Sequence, residues 1–333
     1  MIRRSLISLL LLCSVARGVE TSWEGQVAVG AKYNSNVEYL YLIDRLSGDD
    51  LPRKEAFFAL LNGDVSLVIG EEYTGKIGYS LVSESGLDRP ELSRFDQYIA
   101  GSFSHLFDDA LLLDCSLVLH HAAERWPVPR QLSIDLFGWV TVLYDLNEHF
   151  SPYGSARFGY YHDIDPFGDR RLDYFRGPAG GVEGGWYIYP AADTSYLKTG
   201  TGLDLNWLRD EEYDRFTDRT GDVLGVSNKH LRITALVEGA FVDERVTAAV
   251  ALRYVYQYWL GVDMFRYLDW EKRRIEHTIY LQPELEYRFL EHYAVRVTGS
   301  VMRKLSNIGE HRDDYTDYSF LQFTGAASFS YTF

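Results

Sequence analysis

The last segment of the chain alternates strictly between two kinds of side chain up to its carboxyl-terminal residue. From Leu321 to Phe333, odd positions carry Leu, Phe, Gly, Ala, Phe, Tyr and Phe, whereas even positions carry small or polar residues. Successive side chains of a β-strand point to opposite faces, so one face of this segment is apolar and the other is polar. Such a strand is suited to separating lipid from water.

Similar alternation recurs along the chain between short polar turns and longer hydrophilic connections. It predicts about fourteen strands, and boundary errors of a few residues also allow about twelve or sixteen. The predicted strands cover 22–34, 56–70, 74–84, 93–106, 110–125, 130–145, 150–162, 172–189, 194–209, 229–242, 245–261, 274–289, 293–306 and 318–333. We expect an all-β fold, namely a single closed antiparallel up-and-down transmembrane β-barrel.

The segment 274–289 separates charged from apolar side chains clearly. Its odd positions include Ile275, Ile279 and Leu281, whereas five of its eight even positions are charged. A row this charged suits a water-filled interior better than the outer surface of a soluble sandwich. Pro283 lacks a backbone donor, so we expect a β-bulge there.

The first eighteen residues resemble a leader. A basic start, a short apolar run and small residues at Ala16 and Gly18 are typical of a secretory signal peptide. The apolar run is about ten residues long, too short for a membrane-spanning helix of about 20. We predict a signal peptide over 1–18 and a barrel domain over 19–333. A lipoprotein anchor at Cys13 is disfavoured, because Leu12 stands where lipoproteins carry a small residue.

The carboxyl-terminal strand resembles that of porin-like bacterial outer-membrane β-barrel proteins. Phe333, Tyr331 and Phe329 occupy the last, third-last and fifth-last positions, where those proteins carry aromatic residues. The resemblance implies recognition by the barrel assembly machinery and residence among outer-membrane lipids. An even strand number implies that both termini are periplasmic. The first predicted strand follows the leader closely, so we expect no N-terminal plug like that of fatty-acid transporters.

The net charge and the aromatic residues further restrict the class of protein. The net charge of −15 argues against nucleic acid as a partner, because nucleic-acid binding requires a basic patch. Aromatic residues near strand ends predict two interfacial belts. The predicted belt residues are Trp23, Phe107, Tyr189, Phe289 and Phe333 at the inner edge, and Trp126, Tyr160, Trp207, Tyr258 and Tyr318 at the outer edge.

The predicted inward face carries acids and bases in nearly equal numbers. The predicted lumen-lining residues are Asp64, Asp96, Asp114, Asp135, Arg157, Glu183, Asp204, Arg232, Glu238, Arg253, Glu276, Glu284, Glu286, Arg288 and Arg296. They suit ion-paired ladders that stabilise the wall, or a transverse field across a water-filled pore that filters ions. Barrels of about 16 to 18 strands are open and those of about eight are filled, so about fourteen strands favours a modest pore. We predict passive diffusion of small polar or ionic solutes.

The sequence contains no recognisable catalytic, cofactor or metal site. His120 and His121 are adjacent and must point to opposite faces of a strand, and the other histidines lack the spacing of metal ligands. Cys115 lies among apolar-face leucines, which favours a packing role over a nucleophilic one. We therefore predict no enzyme activity. Two alternatives remain: a surface adhesin or receptor barrel that presents extracellular loops such as 210–228, and, less favoured, an outer-membrane hydrolase.

Overall fold

A computed structural model describes most of the chain. It describes residues 21–35, 55–70, 73–88, 93–107, 110–124, 131–164, 176–190, 195–208, 224–225, 229–260, 263–265, 270–307 and 320–333. The predicted leader over 1–18 lies outside these ranges, as do Trp126, Tyr318 and most of loop 210–228. No helix within the described ranges is long and apolar enough to cross a bilayer.

Fourteen long strands and three short ones make up the described secondary structure. The long strands are β1 (Thr21–Asn34), β2 (Ala56–Ile69), β3 (Tyr73–Gly86), β4 (Arg94–Phe107), β5 (Leu111–Glu124), β6 (Gln131–Tyr144), β7 (Phe150–Ile164), β8 (Arg176–Ile188), β9 (Tyr196–Trp207), β11 (Lys229–Val242), β12 (Val246–Trp259), β15 (Ile275–Leu290), β16 (Tyr293–Ser306) and β17 (Phe320–Thr332). The short strands β10 (Leu224–Gly225), β13 (Asp263–Phe265) and β14 (Trp270–Lys272) form a separate antiparallel sheet in that order.

The fourteen long strands form one closed antiparallel barrel. Each pairs with the next long strand along the chain, and β17 pairs with β1 to close the ring. The predicted fold and strand number are confirmed. The largest boundary difference is at β8, which begins at Arg176 rather than at 172.

The barrel reverses the usual distribution of apolar and charged residues. On the outward rows, the side chains of Ile134 and Ile279 are 40% and 47% exposed. On the inward rows, Asp96 and Glu276 are only 4% and 2% exposed. A soluble protein buries its apolar side chains and rarely buries charged ones, so this barrel has the reverse arrangement, with charged side chains inside and apolar side chains outside.

The first and last strands, β1 and β17, meet at a seam that closes the barrel. Backbone hydrogen bonds across this seam extend as far as Phe333. Register pairs run from Gln26 opposite Thr332 to Asn34 opposite Thr324. Beyond them, the Gly25 N–H donates to the Phe333 carbonyl at 3.1 Å, and the Phe333 N–H donates to the Gly25 carbonyl at 2.9 Å. The Phe333 ring lies over Gly25, where an added Cβ would be 2.2 Å from the ring. The last residue therefore covers and hydrogen-bonds the start of β1.

The bulge predicted at Pro283 is wrong. Leu281 pairs with Val301 and Glu284 with Thr298, which is one continuous register on both sides of the proline. A Cβ added at Gly299 would lie 3.3 Å from the Pro283 ring, so the glycine leaves room for the proline and no extra residue is needed. The irregularity in this pair falls instead between Arg288 and Leu290, beside the β15–β16 turn.

The two ends of the barrel differ in their connections. The short turns and both strand termini of the seam lie at one edge, called here the short-turn end, and the longer connections lie at the other, the long-loop end. Most described members of the predicted belts lie on outward rows. Tyr189 does not: it is two residues after inward-facing Tyr187, so the strand alternation places both on the same face, and their ring centroids lie 6.4 Å apart.

We predict that Gly25→Leu destabilises the barrel by about 1 to 3 kcal/mol, because the new side chain displaces the Phe333 ring. Gly101→Leu is the matched control, since Gly101 is also on an outward row and has no atom within 4 Å of an added Cβ. Thermal unfolding of both variants in the same detergent measures the difference. Equal losses in the two variants would contradict this account of the seam.

Candidate functional site in the barrel lumen

All fifteen predicted lumen residues fall on the inward rows of the register. Several pair with predicted partners: Glu284 accepts from Arg296 at 2.8 Å, and Glu286 accepts from Arg288 at 3.0 Å. The role of these residues in solute passage stays a prediction.

A glycine-rich segment of β8 lets Arg157 reach across a strand. The Arg157 side chain starts on β7 and donates two hydrogen bonds, each 2.5 Å long, to Asp204 on β9. Between them lies Gly181, where an added Cβ would be 2.0 Å from the Asp204 Oδ1. Any larger residue at 181 would separate the pair. The glycines of β8 therefore leave space for the Arg157 side chain to lie flat against the barrel wall.

Tyrosines complete the same part of the wall toward the short-turn end. The Tyr153 hydroxyl donates to Glu183 at 2.8 Å, and the Tyr196 hydroxyl donates to Glu238 at 2.7 Å. The Lys198 ammonium lies 4.7 Å from the centre of the Tyr153 ring. The sequence predicted the two glutamates here but not the two tyrosines, whose inward positions on β7 and β9 were the available signal.

On the other side of the barrel, His120 is held between two carboxylates. Its Nε2 lies 2.8 Å from Asp96 Oδ1, and its Nδ1 lies 3.0 Å from Asp135 Oδ2. Arg94 binds the same Asp96 through two bonds of 2.7 and 2.9 Å. The Tyr98 ring stacks on the imidazole with centroids 4.6 Å apart. This cluster links β4, β5 and β6.

The geometry of the His120 cluster favours a structural role over catalysis. Each ring nitrogen of His120 lies within hydrogen-bond distance of a carboxylate oxygen, so both nitrogens are occupied. With both nitrogens bonded to carboxylates, neither is free to accept a proton from a nucleophile. His121, the next residue, points outward and contacts Gln97 at 3.5 Å. Within the described ranges, no cluster of His, Cys, Asp and Glu is arranged to hold a metal ion.

Two further ion pairs border the long-loop side of the lumen. Lys304 donates to the buried Glu276 at 2.8 Å, and the Arg274 guanidinium lies 3.6 Å from the centre of the Trp259 ring. Lys32 on β1 binds Glu84 on β3 at 2.7 Å. Glu84 is not among the predicted lumen residues, because the predicted strand ended there, whereas β3 continues to Gly86.

A cavity of about 330 Å³ lies against the wall from β7 to β16. Its lining includes three carboxylates, Asp204, Glu183 and Glu276, each already paired with a base. It also includes Arg232 and Arg253, which form no ion pair with any described residue, and the buried Arg232 Nε has no hydrogen-bond partner there. The cavity wall therefore retains two positive charges.

The opposite part of the wall retains negative charge. Asp64 on β2 and Asp114 on β5 make no ion pair within the described part of the chain, and Asp114 accepts one hydrogen bond from Ser104 at 3.0 Å. At least five strand-to-strand steps separate these two strands from β11 and β12. The ion pairs named above join strands no more than two positions apart, so these pairs follow the wall and do not cross the lumen.

Comparison with known proteins finds limited similarity. No family model and no curated protein matches the chain. Solved structures with a similar shape include the P. putida toluene transporter TodX (10% identity, TM-score 0.42, covering 97% of this chain and 92% of that chain). Acinetobacter baumannii OccAB3 (10%, 0.44, 94% and 100%) and a Pseudomonas aeruginosa FadL homologue (10%, 0.43, 95% and 90%) also match. Likeness at this level carries no argument about function.

We predict that His120→Ala destabilises the barrel by about 3 to 5 kcal/mol, because it leaves the buried carboxylates of Asp96 and Asp135 without the imidazole that bonds both. The adjacent His121→Ala is the control and should change stability little, since His121 faces outward. Urea unfolding in lipid vesicles compares the two. If the His120 variant unfolds at the wild-type urea concentration, the cluster does not stabilise the wall.

Proposed function

We propose that this chain is a bacterial outer-membrane channel for the passive diffusion of small polar or ionic solutes. The observation that carries the proposal is the inverted wall, with exposed apolar residues outside and buried charged residues inside. Apolar surface this extensive on a soluble monomer would drive aggregation, whereas lipid stabilises it. A closed barrel also satisfies the backbone hydrogen bonds that lipid cannot satisfy.

The unpaired charges support an ion-filtering lumen. Arg232 and Arg253 lie on β11 and β12, and Asp64 and Asp114 lie on strands across the barrel. Opposite charges on facing walls create a transverse field that orients polar solutes and acts on ions. The ion-paired residues between these charges stabilise the wall. The ion-paired ladder and the transverse field, which the sequence offered as alternatives, therefore describe different parts of one inner surface.

Orientation and assembly are part of the proposal. The start of β1 and the end of β17 lie at the short-turn end, which we place in the periplasm, as in other even-stranded bacterial barrels. The outward positions of Phe329, Tyr331 and Phe333 suit recognition by the assembly machinery. The alternative of an adhesin or receptor barrel depends on loops outside the described residues.

Planar-bilayer recording of the purified protein tests the proposal. We expect steady ohmic conductance across a range of voltages. A reconstituted barrel that remains folded and gives no conductance would contradict the channel function.

Selectivity provides a second prediction. In a salt gradient, Arg232→Gln combined with Arg253→Gln should raise the cation-to-anion permeability ratio roughly twofold to fivefold, because a unit charge near a hydrated ion contributes up to about 1 kcal/mol. Asp64→Asn combined with Asp114→Asn should lower the ratio. Arg303→Gln, on an outward row, is the control and should leave it unchanged. Equal shifts from the arginine pair and from Arg303→Gln would refute the assignment.

A further inference from the structure

The outward surface of the barrel has an uneven charge distribution. Among strand residues whose side chains are described, the outward rows contain no Asp or Glu, and their only Lys or Arg residues are Lys229 and Arg303. A third base, Arg273, lies two residues before the start of β15, and its Nη1 donates to the outward-facing Tyr258 hydroxyl at 2.8 Å. The fixed charge described on this surface is therefore positive.

These three bases share one end and one sector of the barrel. Lys229 is the first residue of β11, and Arg303 lies three residues before the end of β16. Both positions, like Arg273, are at the long-loop end. The strands β11, β12, β15 and β16 are consecutive around the wall. The bases therefore border a single patch, and the short-turn end of the same strands has no equivalent on its outward rows.

Polar aromatic side chains occupy the centre of this patch. The Tyr254 hydroxyl and His277 Nδ1 are 2.7 Å apart, and the His277 ring also contacts the Tyr256 ring with centroids 5.3 Å apart. Tyr254, Tyr256 and Tyr258 are successive outward residues of β12. We name this surface the rim patch: Lys229, Tyr254, Tyr256, Tyr258, Arg273, His277 and Arg303.

We propose that the rim patch binds the phosphate groups of a lipid headgroup in the leaflet at the long-loop end. This inference rests on the proposed membrane function. Guanidinium groups form paired hydrogen bonds with phosphate oxygens, and an ammonium adds a point charge. The tyrosine and histidine groups add neutral hydrogen bonds to a headgroup. The Arg303 guanidinium has no hydrogen bond or ion pair to any described residue, so it can bind a phosphate without losing a contact.

The outward surface at the long-loop end is not positively charged all the way round the barrel, which helps to locate the patch. On β1, Tyr33 also faces outward at the long-loop end, but its hydroxyl donates to Glu55 at 3.1 Å. An anionic headgroup would be repelled there and attracted at β11 to β16. The patch thus predicts a bound lipid at one sector rather than a uniform ring. Long basic side chains that only extend toward the interface would show no preference for a particular headgroup.

Native mass spectrometry of the full chain, reconstituted with phosphatidylcholine and diphosphoryl lipid A, tests the inference. We expect wild-type protein to retain lipid A, and Arg273→Gln combined with Arg303→Gln to weaken retention about tenfold or more, since two charge-assisted hydrogen-bonded contacts are lost. Arg245→Gln, an exposed base in the β11–β12 turn at the short-turn end, is the charge-matched control. Arg303→Lys keeps the charge and should retain more lipid A than Arg303→Gln.

Three results would overturn the inference: wild-type retention by the double variant, an equal loss in Arg245→Gln, or equal retention of dephosphorylated lipid A by the wild type. The single Arg303→Gln variant serves if the double variant does not fold, because that side chain has no described partner. Conductance separates this inference from the channel proposal. A folded wild-type barrel that retains lipid A as expected but does not conduct refutes the channel and leaves the rim patch standing.

Discussion

Closure of the backbone ladder is the constraint on which the rest of the structure depends. An unpaired strand edge exposes N–H and C=O groups that lipid cannot satisfy, so β1 and β17 must meet in register. Once Gln26 lies opposite Thr332, the two-residue period determines which face every later side chain occupies, strand by strand around the ring. The Phe333 ring over Gly25 extends this closure to the last residue of the chain.

The inward charges are arranged to be neutralised along the wall. Arg157 reaches Asp204 over the glycines of β8, and His120 is held between Asp96 and Asp135. Buried charge without a partner is costly, so such pairs are needed wherever charged rows are partly withdrawn from water. Arg232 departs from this rule, since its buried Nε has no hydrogen-bond partner among the described residues, and a departure of this kind is more expected of a functional surface than of a structural one.

Sequence alternation was sufficient to predict the barrel and its strand number, because a period of two is a local property. It was wrong at two positions. Pro283 is accommodated by Gly299, which becomes its neighbour only through the register. Tyr189 shares its face with inward-facing Tyr187, two residues earlier, so it does not belong to the outward belt. Predicting the His120 cluster requires the pairing registers of three strands at once, and predicting the Arg157–Asp204 pair requires knowing that Gly181 lies between them. The sequence of a single strand contains neither piece of information.

Water accessibility of two adjacent residues tests the central claim most directly. In a Cys115→Ser background, Ile233→Cys and Thr234→Cys place single thiols on the outward and inward rows of β11, beside the described cavity. In lipid vesicles, a charged thiol reagent that does not cross membranes should modify the thiol at 234 and leave that at 233 unmodified. Modification at 233 with protection at 234 would show that the apolar rows face water, and the account would be wrong.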